Sequence, residues 1–437
     1  MKISVIGCGY LGAVHAAAMA ELGHEVIGID IDAAKIASLS AGLPPFFEPG
    51  LPEILTSAMA TGRLRFSSEI ADVAGAILHF VAVGTPQQHG GNAADLRFVD
   101  AAFASLAPHL RPGDVVAGKS TVPVGTAARL ADELARSAPG AVLAWNPEFL
   151  REGFAVSDTI TPDRLVYGVP DGEDGQRAAR ALDAAYASAI AAGTPVVVTD
   201  YATAELVKVS ANAFLATKIS FINAMAEIAE VTGADVTALA DAIGYDARIG
   251  RRFLNAGVGF GGGCLPKDIR AFTARAEELG RGESVAFLKE VDQINLRRRQ
   301  RVIDLVVELF DGQVHGKHVA VLGLAFKPHS DDVRDSPALD VAVQLRGLGA
   351  KVVATDPQAI ENARVRHPQL TYAADVNEAL SGADAVVLVT EWPEYRGLDP
   401  VIVGDLVRGR IIIDGRNCLD THAWRSAGWT YQGLGRR

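Results

Sequence analysis

The stretch "KISVIGCGYLGAVHAAAMAELGHEVIGIDID", residues 2–32, restricts the fold more than any other part of the chain. Ile3, Val5 and Ile6 read as a buried strand. Gly7-x-Gly9-x-x-Gly12 follows at once as a turn. The alanine-rich run to Leu22 reads as a helix that Gly23 stops, and "EVIGID" reads as a second strand with Asp30 at its end. This is a β-α-β unit. Gly7 allows a tight turn, Gly9 lets a pyrophosphate approach the backbone, and Gly12 permits close helix–strand packing, with the helix N-terminus facing the anion. An acid at the end of the second strand accepts hydrogen bonds from ribose hydroxyls and repels a 2′-phosphate, which points to NAD rather than NADP. Tyr10 and Leu11 lie inside the same turn. Cys8 falls at a variable position, where a small residue suffices.

The remaining composition narrows the class. A chain of 437 residues implies two or three domains. Its 49% hydrophobic and 21% charged residues fit large cores. A net charge of -11 without a basic run argues against nucleic acid as the main partner. The N-terminus runs straight into a strand pattern rather than a signal peptide, and no apolar run is long enough to span a bilayer. Three scattered cysteines, Cys8, Cys264 and Cys418, form neither a disulfide framework nor a metal-ligand spacing. A cytoplasmic setting is expected.

Further strands are expected in "AILHFVAVGTP", "DVVAGKSTVPVGT" and "AVLAWNPEFLREG". Each ends where an open parallel sheet carries its ligand loops. That places Thr85, Pro86, Ser120 and Thr121 near the cofactor, and Asn146-Pro147-Glu148 and Arg151-Glu152-Gly153 in a further loop. The run from Tyr201 to Val231 has no proline or glycine and carries apolar residues at helical spacing, so one long helix is expected. Lys208 and Asn212 share a face of it. A helix so rich in alanine and apolar residues is also a natural dimer spine.

A second β-α-β unit begins at "KHVAVLGLAFKP", with further strands in "ADAVVLVTEW" and "GRIIIDGRN". Here Gly323-Leu324-Ala325-Phe326-Lys327 replaces the glycine fingerprint, so a different nucleotide is expected. Lys327, Arg334 and Arg416 fall at strand ends or in the loops after them, where anions bind. The expected fold class is α/β, with two Rossmann-like doubly wound domains joined by a long central helix. Its domains are an NAD-binding one over 1–200, a helical dimerisation segment over 201–312 and a second, different nucleotide-binding one over 313–437. The active site is expected where the three meet.

"VGFGGGCLPKDI" places four glycines immediately before Cys264, with Lys267 and Asp268 just after it. A buried structural thiol needs no such approach; a nucleophile that meets a bulky substrate does. A thiolate adds to an aldehyde to give a thiohemiacetal, which loses hydride and leaves a thioester for water to hydrolyse. Free cysteine titrates near ~8.5. A nearby lysine, the backbone N–H groups of the glycine loop and a helix start at Lys267-Asp268 are the candidate aids to its ionisation.

In order, GxGxxG, "STVPVGT", "NPEFLREG", "ELVKVSANAFLATKISFINAMAEI", "GVGFGGGCLPKD" and "GLAFKPHSDDVRDSP" resemble the nucleotide-sugar 6-dehydrogenases over essentially the whole chain. The resemblance implies oxidation of a sugar C6 alcohol to the carboxylate with two NAD. It implies Cys264 as nucleophile, Lys208, Asn212 and Asp268 as the polar catalytic set, and Thr121, Glu148 and Glu152 as residues positioning water and substrate. Phe149, Leu150 and Arg151 belong to the same substrate loop. Phe253 and the stretch containing Asn255, Gly257, Gly259, Phe260 and Gly261 are implied to cover the sugar nucleotide, with Phe326, Lys327 and Arg416 as further substrate contacts. Asp30 and Lys35 are implied at the adenosine ribose, Lys267 and Arg334 at the cofactor, and Arg248 at the neighbouring subunit's site of a homodimer.

"FFEPGLPEIL" and "DARIG" resemble the UDP-glucose branch of that family more than the others, which implies UDP-glucose as substrate and a nucleotide-sugar-binding role for the 313–437 domain. TDP-glucose, GDP-mannose and UDP-N-acetylhexosamines remain alternatives, because one methyl on the base discriminates modestly. Two other readings stand beside this one. A two-electron β-hydroxyacid dehydrogenase leaves Cys264 and the second nucleotide-binding domain without a use. A catalytically silent sensor leaves Cys264, Lys208, Asn212 and Asp268 without a reason to be present together.

Overall fold

The computed structural model describes residues 1–436, which fall into two compact units. The first comprises Met1–Ala211 with Ala274–Leu279; the second comprises Asn212–Thr273 with the chain from Gly280 onward.

In the first unit, β1 (Lys2–Ile6), β2 (Glu25–Ile29), β3 (Leu64–Ser67), β4 (Leu78–Val81), β5 (Val115–Gly118), β6 (Val142–Trp145), β7 (Leu165–Gly168) and β8 (Val196–Thr199) form one sheet. Their order is β3-β2-β1-β4-β5-β6-β7-β8. The first six strands are parallel and follow the doubly wound order of dinucleotide-binding folds. The expected parallel sheet holds as far as β6. There β7 turns antiparallel, with Trp145 opposite Gly168, and β8 runs parallel to β7.

Central strands β5 and β6 are unbroken apolar runs because both of their faces are covered, while β1 and β4 each bury one polar residue, Ser4 and His79, hydrogen-bonded to each other at 2.7 Å. Val115 and Ala117 enter one core, shared with the helix Tyr10–Glu21; Val116 enters the other. That helix presents Ala13, Ala16, Ala17 and Ala20 to the sheet, and such small side chains let it pack close to β1. Each fully buried valine or leucine contributes roughly 1.5–3 kcal/mol.

In the second unit, β9 (His318–Leu322), β10 (Lys351–Thr355), β11 (Thr371–Tyr372), β12 (Ala385–Leu388), β13 (Ile411–Asp414) and β14 (Thr430–Gly433) form a parallel sheet in the order β11-β10-β9-β12-β13-β14. This is the doubly wound order again. The helix Phe287–Leu309 contributes Val302, Ile303, Leu305 and Val306 to its core.

The expected long helix is present as Tyr201–Thr232. Its C-terminal half is fixed by an ion network within the second unit. Glu230 receives Arg298 at 2.7 Å on one oxygen and Arg301 at 2.7 Å on the other. Arg298 is only 1% exposed, so its charge depends mainly on Glu230, with Glu227 further off at 4.0 Å. Among the described residues, no helix is long and apolar enough to cross a membrane.

Removing one member of a buried pair leaves the other charge uncompensated, at about 3–5 kcal/mol. Glu230→Ala is therefore expected to lower the unfolding midpoint of the second unit by several degrees in scanning calorimetry. Glu230→Gln, which keeps an acceptor, is expected to cost less. Equal midpoints for the alanine variant and the wild type would mean that Arg298 finds water.

Candidate active site

The first unit supplies a cofactor turn between β1 and the Tyr10–Glu21 helix. A Cβ on Gly12 would lie 1.7 Å from the Gly7 carbonyl oxygen, so only glycine permits the helix to leave the turn this closely. A Cβ on Gly9, by contrast, would meet no atom within 4 Å, which leaves open space for an anion. Asp30 ends β2. Its Oδ2 accepts from the Cys8 amide at 2.8 Å and from Lys35 Nζ at 2.9 Å; its Oδ1 accepts from the Asp32 amide at 3.0 Å. Asp30 and Lys35, both implied at the adenosine ribose, are thus paired with each other, and Oδ1 keeps a lone pair for a hydroxyl. These residues fit a dinucleotide. Leu11 anchors the turn by packing onto the core.

The loops at the carboxyl ends of β4 and β5 are tied together. Thr85 Oγ1 donates to the Thr121 carbonyl at 2.8 Å, and Ser120 Oγ donates to the Val83 carbonyl at 2.6 Å. Pro86 follows in the same turn, where its carbonyl accepts from the Asp95 amide at 2.8 Å. After β6, Glu148 accepts from the Leu150 amide at 2.6 Å and holds Lys208 Nζ at 3.0 Å. Lys208 also lies 5.6 Å from the centroid of the Phe149 ring. Arg151 is engaged by Asp158 at 2.6 Å.

Glu48, from the "FFEPG" segment, was not singled out by spacing, yet it organises this region. It is 2% exposed, and it accepts from the Gly153 amide at 2.6 Å, from the Ala155 amide at 2.7 Å and from the Tyr10 hydroxyl. It therefore ties the cofactor turn to the backbone immediately after Glu152.

The second unit positions the cysteine. Cys264 directly precedes the helix Leu265–Glu278, and the Asp268 amide donates to its carbonyl at 2.9 Å. The helix thus begins two residues earlier than expected, which places the thiol at a helix N-terminus, where negative charge is favoured. Cys264 is exposed, whereas Cys8 is buried and Cys418 half-buried. Burial pushes both of those thiols well above the ordinary range. One turn into the helix, Asp268 is buried; it accepts from Asn212 Nδ2 at 2.6 Å and from Lys267 Nζ at 2.6 Å. Three of the expected polar residues therefore form one cluster within this unit.

The approach to Cys264 is clamped by side chains from several elements. Asn295 accepts from the Phe260 amide at 2.7 Å and donates to the Phe260 carbonyl at 2.9 Å, as a neighbouring strand would. Asn223 accepts from the Gly257 amide at 2.9 Å. Arg299 reaches the Phe260 carbonyl at 3.2 Å and Asp335 at 2.8 Å. Gly259 has φ +95°, and a Cβ there would lie 2.2 Å from Asn295 Oδ1. Gly261 and Gly262 lie against the 334–337 segment, with the Gly262 amide donating to the Arg334 carbonyl at 2.9 Å.

Arg416 is more a scaffold than a free cation. Its guanidinium donates to the carbonyls of Val389, Gly259 and Phe326 at 2.8, 2.9 and 3.1 Å. Lys327 Nζ lies 5.3 Å from the Phe326 ring centroid, and Arg334 pairs with Asp332 at 2.7 Å. Asn255 accepts from Arg251 at 2.8 Å, and Phe253 holds a left-handed φ of 65°. Arg248 lies outside these clusters on the surface, paired with Asp246 at 2.6 Å.

The second sheet's counterpart of Asp30 is Asp356, directly after β10. Its Oδ2 accepts from the amides of Leu324 and Ala325 at 2.7 and 3.0 Å and from Trp392 Nε1 at 3.1 Å. Its Oδ1 accepts from the amides of Gln358 and Ala359 at 2.9 Å each. This carboxylate is saturated by protein donors.

Comparison with known proteins agrees along the whole chain. Residues 1–190 match the NAD binding domain of the UDP-glucose/GDP-mannose dehydrogenase family, 202–297 its central domain and 320–421 its UDP binding domain. A UDP-glucose 6-dehydrogenase of Rhizobium meliloti is 41% identical over 100% of both chains. The UDP-glucose 6-dehydrogenase TuaD of Bacillus subtilis is 40% identical, covering 100% of this chain and 93% of its own. The structure of a UDP-glucose dehydrogenase from Pyrobaculum islandicum superposes with a TM-score of 0.90 at 40% identity, over 100% of this chain and 98% of that one. With a cofactor turn built for a dinucleotide, a nucleotide-binding sheet that lacks that turn, and a cysteine set between them in the chain, this protein belongs to the UDP-glucose/GDP-mannose dehydrogenase family of NAD-dependent nucleotide-sugar dehydrogenases.

Proposed function

We propose that the protein oxidises the C6 alcohol of UDP-glucose to the carboxylate, forming UDP-glucuronate, with Cys264 as the covalent nucleophile. The observation that carries this reading is an exposed thiol at a helix N-terminus, reached over a glycine loop that four side chains hold. The substrate follows from relatives of about 40% identity that are named UDP-glucose 6-dehydrogenases.

NAD, held by Gly7, Gly9, Gly12 and Asp30, supplies the hydride acceptor for both oxidations. The chain's own residues do the rest. Cys264 Sγ adds to C6 of the aldehyde and makes the carbon tetrahedral, so that a second hydride can leave and a thioester remains. Lys208 as an ammonium, with Asn212, stabilises the alkoxide and oxyanion. Asp268 and Thr121 hold and deprotonate the water that releases the carboxylate, while Glu148 and Glu152 keep substrate and water in place. Balanced, one alcohol and one water yield one carboxylate, two hydrides that two NAD take up in turn, and three protons.

We also read the protein as a homodimer in the cytoplasm. Phe214, Phe221 and Ile228 recur every seven residues along the central helix and are 67%, 48% and 53% exposed. A second copy is the occupant that would cover this stripe, with Arg248 reaching the neighbouring site.

Three outcomes are expected of the reaction. Two NADH form per UDP-glucose consumed, with a reaction slower by no more than about a hundredfold on TDP-glucose and none or a far slower one on GDP-mannose and UDP-N-acetylglucosamine. Cys264→Ser keeps both ligands, by calorimetric titration, while acid formation falls by about a thousandfold or more; acid formed at the wild-type rate would end the thioester reading. Gly259→Ala displaces the loop against Asn295 and lowers kcat by about a hundredfold, the scale of a misplacement near 1 Å. In light scattering, Phe221→Glu is expected to give monomers where the wild type gives dimers; an unchanged mass would place the interface elsewhere.

A further inference from the structure

Lys119 directly follows β5 and is 5% exposed. Its ammonium is surrounded by neutral groups. It donates to Asn146 Oδ1 at 3.0 Å, to the Tyr186 hydroxyl at 3.1 Å and to the Asn146 carbonyl at 3.5 Å. The ring centroids of Phe80 and Tyr186 lie 5.4 and 5.7 Å away. Three N–H donors thus meet three acceptors over two aromatic faces, which is the geometry of a charged lysine. Asn146 is itself fixed: its Nδ2 donates to the Val166 carbonyl at 3.0 Å, and its Oδ1 accepts from the Tyr186 hydroxyl at 2.8 Å.

Burying a lysine among neutral groups is costly, and an unbranched apolar side chain would fill the same space without that cost. What the lysine touches gives it a use. Asn146 begins the Asn146-Pro147-Glu148 turn, and Pro147 has no N–H with which to fix the turn itself. Two residues after Asn146, Glu148 holds Lys208. Lys119 also feels both charges of that pair: Glu148 favours its ammonium and Lys208 opposes it, and such coupling is reciprocal.

We propose that Lys119 is a positioning residue for the Glu148–Lys208 pair, fixing the turn through Asn146 and supplying a buried positive charge that the pair senses. The inference rests on Lys208 acting as the ammonium of the proposed reaction.

Burial, the largest influence, pulls the Lys119 ammonium down to about 7. Its neighbours on other elements keep one charge state near neutrality. His15, on the Tyr10–Glu21 helix, is held neutral by complete burial. The hydroxyls of Tyr186 and of Tyr167 on β7 are held protonated by burial. As the pH rises through neutrality, Lys119 loses its charge and stops opposing the Lys208 ammonium.

The test compares kcat and KM from pH 5.5 to 9 for wild type, Lys119→Met and Lys208→Met. The wild-type profile is expected to rise through an inflection near pH 7 that Lys119→Met lacks. Lys119→Met is also expected to lose about tenfold or more in kcat, with both KM values within about threefold. A Lys119→Met profile that superposes on wild type overturns the inference. If Lys208→Met is inactive while Lys119→Met is normal, the inference fails alone. If Lys208→Met turns over at the wild-type rate, the assignment of Lys208 fails and takes the inference with it. Should Lys119→Met not fold by calorimetry, Tyr186→Phe removes one acceptor and keeps the lysine. It is expected to move the inflection to lower pH, and an unmoved inflection overturns the inference equally.

Discussion

The second unit depends on the pairing of the Asn295 side-chain amide with the backbone of Phe260. A segment with four glycines around one phenylalanine has more conformational freedom to lose than almost any other stretch of its length. It forms no ladder with a strand that could order it. Asn295, projecting from a long helix and fully buried, offers one acceptor and one donor at the spacing of a strand neighbour. Arg299, one turn further along, holds the same carbonyl and links it to Asp335. The helix thus lends its rigidity to a loop that needs glycine for access and would otherwise be mobile because of it.

The first unit solves a related problem with a carboxylate. Among the described residues Glu48 is paired with no cation and instead accepts from two amide donors and a tyrosine hydroxyl. Charge-assisted bonds of this kind are roughly twice as strong as neutral ones. One buried group thereby joins the cofactor turn, through Tyr10, to the backbone beside Glu152. The same economy appears at Asn146, where a single amide links two strands, an aromatic hydroxyl and a lysine.

How much of this the sequence discloses follows the range of the interactions. The β1 turn, the strand-end loops and the helix from Tyr201 are written in local spacing, and each lies where that spacing puts it. The resemblance to a family implied Lys208, Asn212 and Asp268 as a polar set; within the second unit Asn212 bonds Asp268, whose other oxygen holds Lys267. Asn223, Asn295 and Glu48 were not legible, because each looks like an ordinary polar residue until the partner, distant in sequence, is known. The reversal at β7 carries no local mark either, since an apolar strand pairs equally well in both directions. Lys119 was not legible either, because it directly follows an apolar strand and only the fold shows its side chain among Phe80, Asn146 and Tyr186. Arg416 was legible as a cation near a ligand loop but not as the tie between three backbone segments.

The contrast between Asp30 and Asp356 carries a consequence for how the work is scheduled. Two sheets of the same strand order end their second strands in the same acid, yet Asp356 has its oxygens taken up by protein donors while Asp30 retains capacity. Among the described residues, only one turn is therefore receptive to a dinucleotide. A four-electron oxidation on such a chain has to run in two rounds, with the spent cofactor exchanged midway. During that exchange the half-oxidised sugar has to be retained, which the bond from Cys264 Sγ to C6 would do in the proposed reaction. Two sheets of one strand order thereby divide into one turn open to a dinucleotide and one closed to it, and the cofactor exchange between the two rounds falls on the first unit alone.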